Sequence, residues 1–560
     1  MRDLTPLLVF LSIAMCACTP RAEEAPCFLR SGDVWVFHGD SITHADTYRR
    51  ACERVFRHYH PEANAEFIQA GVWGSASSDL AKRLKEQGRN PTVVSLMLGM
   101  NNAINGAWVK GQPREPFLAA YRKDLIEFVQ KCRAGGAAVI LMSPTLADET
   151  CRRTFFRIDG ANDFLRDCQR IVKEVAASES ACYVPVQEEF EAFQETLERH
   201  QRLRPDGVHP ASLGEYRIAQ ALWERLNFAG ELKGAGGTPA VRTAGVPPAS
   251  AGETPAVQTN RLAVRLRPAA SRIAADAKGI EFVIEPEKAE TLEITWSLGD
   301  CRGKSELAVD GRTLWVLQPP QGLPALKPGE ATEAVIVLRS GARAALFVAD
   351  LCPVPVLHFR DNLISGTLES ATDRPEGRHV ASWQLRRNGA ELLLEADVND
   401  SQIVSSSEWA FGRDGLNLFF DLRPAERFGG INFDSDVHQT IVNVYEQPFF
   451  AAALRPWLGD GMDRAAVCSG EKTAAGYRVR LRVADRLNMH EPFALDQRDF
   501  VGLALAVTDV DGGGKEPLRT ATYEAWPAQR PRDQYANSLM ILDLKDKLGG
   551  QTVINVHAYP

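Results

Sequence analysis

A chain of 560 residues with 45% hydrophobic and 24% charged residues is too long for one core and too balanced for a disordered or fibrous protein. About three or four domains are expected from that length. The formal net charge of -8 gives no electrostatic reason to expect nucleic acid as a partner.

At the N-terminus, Arg2 precedes an apolar run from Leu7 to Met15, followed by small residues with Cys16 and Cys18. This is the layout of an export signal, expected over residues 1–26. The run is shorter than the ~20 apolar residues a membrane span needs, and no later stretch approaches that length. The expected location is secreted or periplasmic, with membrane contact only through a lipid anchor. Cys18 after Ala17 is placed for lipidation; Met15 makes that lipobox approximate, and plain cleavage is the alternative reading. The remaining cysteines, Cys27, Cys52, Cys132, Cys151, Cys168, Cys182, Cys301, Cys352 and Cys468, lack the CxxC spacing of a zinc site, and no metal is expected for catalysis. They leave room for one or two disulfides, and their odd number leaves at least one thiol unpaired.

Residues 30–230 alternate short apolar strands with helical patterns, which predicts an α/β three-layer sandwich around a parallel sheet. The predicted strands are Val34 to Phe37, Glu66 to Gln69, Val93 to Leu98, Ala138 to Met142 and Tyr183 to Val186. Pro116 suits the first turn of a helix running to about Cys132. Phe164, Leu165, Cys168, Ile171, Val172 and Val175 fall at helical spacing and predict one apolar face. Residues 231–260 are rich in Gly, Pro, Ala and Thr, and nearly repeat Gly-Gly-Thr-Pro-Ala-Val-Arg-Thr as Gly-Glu-Thr-Pro-Ala-Val-Gln-Thr. Such a composition predicts a flexible tether. Beyond it, Gly279 to Ile284, Leu292 to Trp296, Ala334 to Leu338 and Ala344 to Ala349 predict a small β-sandwich over 261–360. A second strand-rich unit over 361–548 is marked by Ala390 to Val398, Leu416 to Leu422, Ile441 to Tyr445, Tyr477 to Val483 and Val501 to Val507. Residues 549–560 read as a tail.

The first predicted strand runs into His38-Gly39-Asp40-Ser41-Ile42-Thr43. A serine just past the carboxyl end of a parallel strand, after a glycine that permits a tight turn, sits where open α/β sheets place ligands. Taken alone the tripeptide is one that chance supplies. Three further blocks stand at strand ends or helix starts: Ala70-Gly71-Val72-Trp73-Gly74-Ser75, Leu98-Gly99-Met100-Asn101-Asn102, and Asp206-Gly207-Val208-His209-Pro210. Separately, Gly74 reads as a turn glycine, Asp206 as a helix cap and Asn101 as a turn residue.

In this order the four blocks resemble the SGNH (GDSL-like) hydrolase and esterase family, over about Trp35 to Asn227. The resemblance implies a flavodoxin-like sheet, a triad of Ser41, His209 and Asp206, and an oxyanion hole formed by the backbone N–H groups of Ser41 and Gly74 with the Asn101 side-chain amide. His209 would take the Ser41 proton and return it to the leaving alcohol, and Asp206 would orient the imidazole. One position departs from the family pattern: Asn102 stands where Asp is usual, which puts the support behind the oxyanion hole in question. His38 reads as packing and His44 as a pocket wall. Trp73, beside the oxyanion glycine, either stacks on a sugar ring or closes the core.

The last unit, with its run Glu391 to Asp400, then Trp409, Asp414 to Asp421, Val507 to Gly512 and Tyr523 to Trp526, resembles the family 9 carbohydrate-binding module. That resemblance implies a β-sandwich that holds sugar on aromatic faces, with Trp409 and Trp526 as the expected contacts. It also implies structural calcium, for which Asp509 and Asp511 are candidates, the alternative being ordinary turn residues. The combined expectation is an extracytoplasmic carbohydrate esterase acting on O-acetyl or similar esters of a polysaccharide, without a catalytic cofactor. A lipid or general acyl esterase is the alternative enzyme, and a non-catalytic glycan-binding surface protein the alternative of another class. Turnover of small esters is expected to survive deletion of 361–560.

Overall fold

The computed structural model describes residues 27–86, 90–105, 112–150, 158–195, 203–204, 207–210, 212–232, 262–324, 326, 332–370, 377–389, 391–404, 414–421, 437–443, 455–456, 466–483, 495, 498–511, 519–524, 539–548 and 552–559. No helix among them is long and apolar enough to cross a membrane.

The first domain carries strands β1 (Val34–Gly39), β2 (Glu66–Gly71), β3 (Val93–Met97), β4 (Ala138–Met142) and β5 (Cys182–Val184). All pair in parallel, in the order β2-β1-β3-β4-β5. The helices are α1 (Ser41–His44), α2 (Thr47–Tyr59), α3 (Leu80–Glu86), α4 (Met100–Ile104), α5 (Glu115–Ala134), α6 (Ala161–Ser178), α7 (Val186–Gln194) and α8 (Ser212–Arg225). Strand β3 is buried throughout and β4 nearly so, as expected of central strands covered on both faces. Helix α5 has its proline in the first turn, and the whole predicted apolar face of α6 is buried. The fifth strand ends before its predicted limit because Pro185 leads directly into α7. The strand order reverses direction between β1 and β3, and at such a switch point the loops diverge and leave a crevice beyond the strands' carboxyl ends. Every block singled out in the sequence except the last follows one of the three strands at that point.

From residue 262 onward the described elements are all strands: β6 (Val264–Pro268), β7 (Arg272–Ala274), β8 (Ile280–Pro286), β9 (Glu290–Leu298), β10 (Cys301–Val309), β11 (Thr313–Leu317), β12 (Thr332–Ser340), β13 (Arg343–His358), β14 (Leu363–Glu369), β15 (His379–Asn388), β16 (Glu391–Asn399), β17 (Gly415–Asp421), β18 (Val437–Asn443), β19 (Arg455–Pro456), β20 (Ala466–Lys472), β21 (Gly476–Val483), β22 (Phe500–Asp511), β23 (Arg519–Glu524), β24 (Met540–Asp543) and β25 (Thr552–Tyr559). Sheet β11-β8-β6 packs on β9, β12 and β13 around one core, and sheet β14-β15-β16-β21-β20 packs on β17, β22 and β24 around another.

These two layered units are joined by a shared strand. β13 pairs antiparallel with β12 along its first part and in parallel with β24 at its end, so a single sheet runs through both. The stretch read as a tail holds β25, which pairs with β13 and β7 in the first of the two units. Its pattern of Val553, Ile554 and Val556, all buried, is that of a core strand. Among the described residues the thiols of Cys27, Cys52, Cys132, Cys168, Cys182 and Cys301 are free, so none of these six forms one of the disulfides for which the cysteine count left room. Most are packed in the first domain's core, where burial raises the Cys132 thiol to about 12 and the Cys182 thiol to about 11. They act there as small apolar groups.

Candidate active site

Two glycines let a short helix sit almost on the sheet. A Cβ on Gly39 would lie 1.9 Å from Thr43 Oγ1, and one on Gly71 would lie 2.5 Å from the His44 backbone nitrogen. With hydrogens instead, α1 closes down over the ends of β1 and β2. Asp40 starts that helix: its Oδ1 accepts from Ile42 N–H at 3.0 Å, filling a donor that a helix start leaves open. Ser41 is the next residue, and its Oγ lies 2.7 Å from His209 Nε2. A hydroxyl in this contact can pass its proton to the imidazole as it attacks an electrophile.

Asn101 is the second residue of α4, after β3, with its side chain buried. Its Nδ2 donates to the Ser75 carbonyl at 3.0 Å, and its Oδ1 accepts from Asn105 at 3.2 Å. This ties the loop after β2 to the loop after β3. Asn102 strengthens the same tie: its Oδ1 accepts from Ser77 N–H and its Nδ2 donates to Ser77 Oγ, both at 3.2 Å, while Ser77 Oγ donates to Asp124 at 2.7 Å. The amide oxygen accepts as a carboxylate would, so the departure at position 102 keeps the brace between the two loops.

Asp206 lies outside the described residues. Two other carboxyls, both buried, interact electrostatically with His209. Burial pushes Asp40 up to about 6, opposed by the Ile42 N–H and then by His209. Glu215 of α8 is pushed well above the usual carboxylate range, also by burial, with the Tyr48 N–H at 3.3 Å and His209 pulling the other way. Its second oxygen has no hydrogen-bond partner among the described residues. The sequence marked Asp40 only as part of a motif and Glu215 not at all. Neither composition nor spacing announces that α2 will pack on α8 and shut a carboxyl between them.

Residues 37–217 match the GDSL-like Lipase/Acylhydrolase family. This segment is a GDSL-like acylhydrolase domain, and the chain is an ester-hydrolysing enzyme. Among solved structures, an acetylxylan esterase from Geobacillus stearothermophilus is 22% identical over 35% of this chain and 95% of its own, with a TM-score of 0.31. A catalytic mutant of that esterase gives 22% identity, 37% and 99% coverage and a TM-score of 0.32. An alpha/beta hydrolase enzyme from the metagenome of Lake Arreo, Spain, gives 20% identity, 36% and 99% coverage and a TM-score of 0.32. No curated protein matches the chain.

Around the Ser41–His209 pair of the GDSL-like domain, Trp73 stands 53% exposed, with its ring 6.1 Å from that of His209 and 5.2 Å from that of His44. It does not close the core, and its ring is largely exposed beside the pair. His44 is exposed, with Nδ1 3.1 Å from the Gly71 carbonyl, on the rim next to Trp73. His38 is buried edge-on against Phe128 and belongs to the core of the GDSL-like domain. Gly74 follows Trp73 in the left-handed region, at φ 71.

In the last unit Trp409 and Trp526 lie outside the described residues, as does the side chain of Asp511. Asp509 is buried and meets Asp400 and Asp414, with one carboxylate oxygen of each lying within 4.8 Å of the others. The outer face of sheet β15-β16-β21 is a charge ladder, Arg478 with Asp397 and Arg480 with Glu395, both at 2.6 Å. Its tryptophan, Trp383, points into the core over Gly366.

Proposed function

We propose that the GDSL-like domain removes acyl groups, O-acetyl foremost, from a polysaccharide outside the cytoplasm. In this reading Ser41 Oγ gives its proton to His209 Nε2 and attacks the ester carbonyl carbon, while Asp206 orients the ring. The negative charge that grows on the carbonyl oxygen is met by the Ser41 and Gly74 N–H groups and by Asn101 Nδ2, whose second hydrogen is available beyond its bond to Ser75. His209 then protonates the leaving sugar hydroxyl. Water repeats the sequence on the acyl-enzyme and releases the acid. The observation that carries the reading is the 2.7 Å contact between Ser41 and His209, with the exposed Trp73 alongside. A flat aromatic face fits a sugar ring, whereas a lipid esterase calls for an apolar channel for its acyl chain.

The remaining parts of the reading follow from this. The signal-like N-terminus supports export, with Cys18 as a lipid anchor or with plain cleavage. The C-terminal unit is read as glycan-binding, with Trp409 and Trp526 as its contacts. The all-oxygen set of Asp400, Asp414 and Asp509 suits a hard cation such as calcium, which would neutralise three buried carboxylates and brace that unit. Acetate release from a panel of acetylated polysaccharides tests the reading, with Ser41→Ala as the control. Release by the wild type alone is expected. Turnover confined to long-chain acyl esters would establish the lipid esterase instead, and equal rates for wild type and Ser41→Ala would leave only a binding protein.

A further inference from the structure

The centre of β12 reads Ala334-Val335-Ile336-Val337-Leu338, with no polar residue on either face. A strand of an antiparallel sheet with one wet face would alternate, so this run calls for cover on both sides. Ala334, Ile336 and Leu338 fill the core of their own unit. Val335 and Val337, on the other face, join the core of the GDSL-like domain together with Val348 of β13 and Tyr559 of β25. Helix α2 lies across them.

The polar contacts around this seam are specific. Arg302 donates to the carbonyl oxygens of Arg57 and His58 at 2.7 and 2.9 Å, where the end of α2 leaves acceptors open and carries partial negative charge. His58 Nδ1 lies 2.8 Å from Ser297 Oγ. Arg54 reaches Glu333, which is buried in the seam, at 3.8 Å. Tyr559 stacks on Tyr216 of α8, the helix that follows His209, with ring centroids 4.5 Å apart and planes 19° from parallel.

We propose that the first β unit is a fixed wall of the esterase, clamped on the α2 and α8 face, and that β25 is the clasp holding it there. The segment 231–260 then spans two parts that are already docked, and polymer held by the later unit meets the active site in one set orientation. Joining the parts through about 30 residues gives a millimolar effective concentration, so even a micromolar interface stays closed about 99.9% of the time. Deleting 361–560 removes β25 from the wall. That truncation is therefore expected to impair the hydrolase, contrary to what domain boundaries alone suggest.

The test cuts the join in the intact protein. A site-specific protease sequence is placed within residues 240–255, the folded chain is nicked, and the pieces are run on a sizing column at about 100 µM, where a micromolar interface still holds. The expected result is one peak holding both pieces, with the p-nitrophenyl acetate rate within about twofold of the uncut chain. The nicked Arg302→Ala and Tyr559→Ala variants should dissociate at least tenfold more readily, and Tyr559→Phe, which keeps the stack, should hold like wild type. Two separate peaks from the nicked wild type would overturn the proposal. Variants that hold as tightly as wild type would overturn the assignment of the clamp to these residues. Elution reports docking whichever ester the enzyme cleaves, so this outcome is independent of the substrate reading.

Discussion

Gly39→Ala concentrates the packing argument in one methyl group. The new Cβ would fall 1.9 Å from Thr43 Oγ1, 2.7 Å from Thr43 Cβ and 2.9 Å from the Met97 carbonyl oxygen. Ordinary contacts need about 3.5 to 4.0 Å, so α1 must back away from the sheet by about 1 Å or more. It has little room to turn, because Thr43 is held from the other side by the Tyr48 hydroxyl at 2.8 Å and Gly71 already touches the helix backbone. Ser41 is the first residue of α1 and moves with it, away from His209. Overpacking of this kind costs about 1–3 kcal/mol, and a misplacement of about 1 Å costs on the order of a hundredfold in rate. Thermal melts and p-nitrophenyl acetate kinetics on the same preparation separate the two effects. The expected variant is folded, melts some degrees lower and has kcat reduced about a hundredfold. A rate within about threefold of wild type would refute the reasoning, because it would mean that Ser41 does not depend on the close seating of α1.

In the proposed oxyanion role Asn101 Nδ2 would face charge that exists only in the transition state, so Asn101→Ala is expected to lower kcat by about a hundredfold or more with little change in KM. A pure KM effect would count against that role. Burial raises Asp40 from its ordinary 3.8 to about 6, so the folded state holds its proton more tightly than the unfolded chain. Stability should fall as pH rises from about 4 through 6, by about 3 kcal/mol for this group, and Asp40→Asn should flatten that part of a melting-temperature profile. His58 has the opposite sign. Burial, Arg302 and Arg339 depress it from 6.5 to about 4, so stability is lost as pH falls through that window, and His58→Asn should reduce the acid loss. Trp73→Ala should raise KM for an acetylated polymer several-fold and leave p-nitrophenyl acetate turnover nearly unchanged; parallel losses on both substrates would remove the sugar-platform role.

Much of the site could be read along the chain because its parts obey local rules. Ser41, Gly74 and Asn101 follow strands whose apolar runs are unmistakable, and Gly39 stands where a tight turn is expected, while the need for glycine at 39 and 71 under α1 shows only in the fold. Asn102 could not be read this way. Its amide meets Ser77, 25 residues away, and only the folded loops show that it accepts from the Ser77 N–H. Glu215 was silent because a carboxyl in the first turn of a helix is ordinarily a solvated charge at a favourable helix end.

The sequence alone determined the alternation of strand and helix in the first domain, the placement of four chemical blocks at strand ends and helix starts, and the all-strand character of the rest. Each of these depends on side-chain period and backbone preference within a few residues. Only the tertiary structure decided that β13 carries one sheet through both β units, that residues 552–559 return as β25, and that Val335, Val337 and Tyr559 cover the esterase. An apolar run states that it must be buried but not by what, and the partner of a strand hundreds of residues distant is set by which surfaces remain uncovered once the local elements have formed.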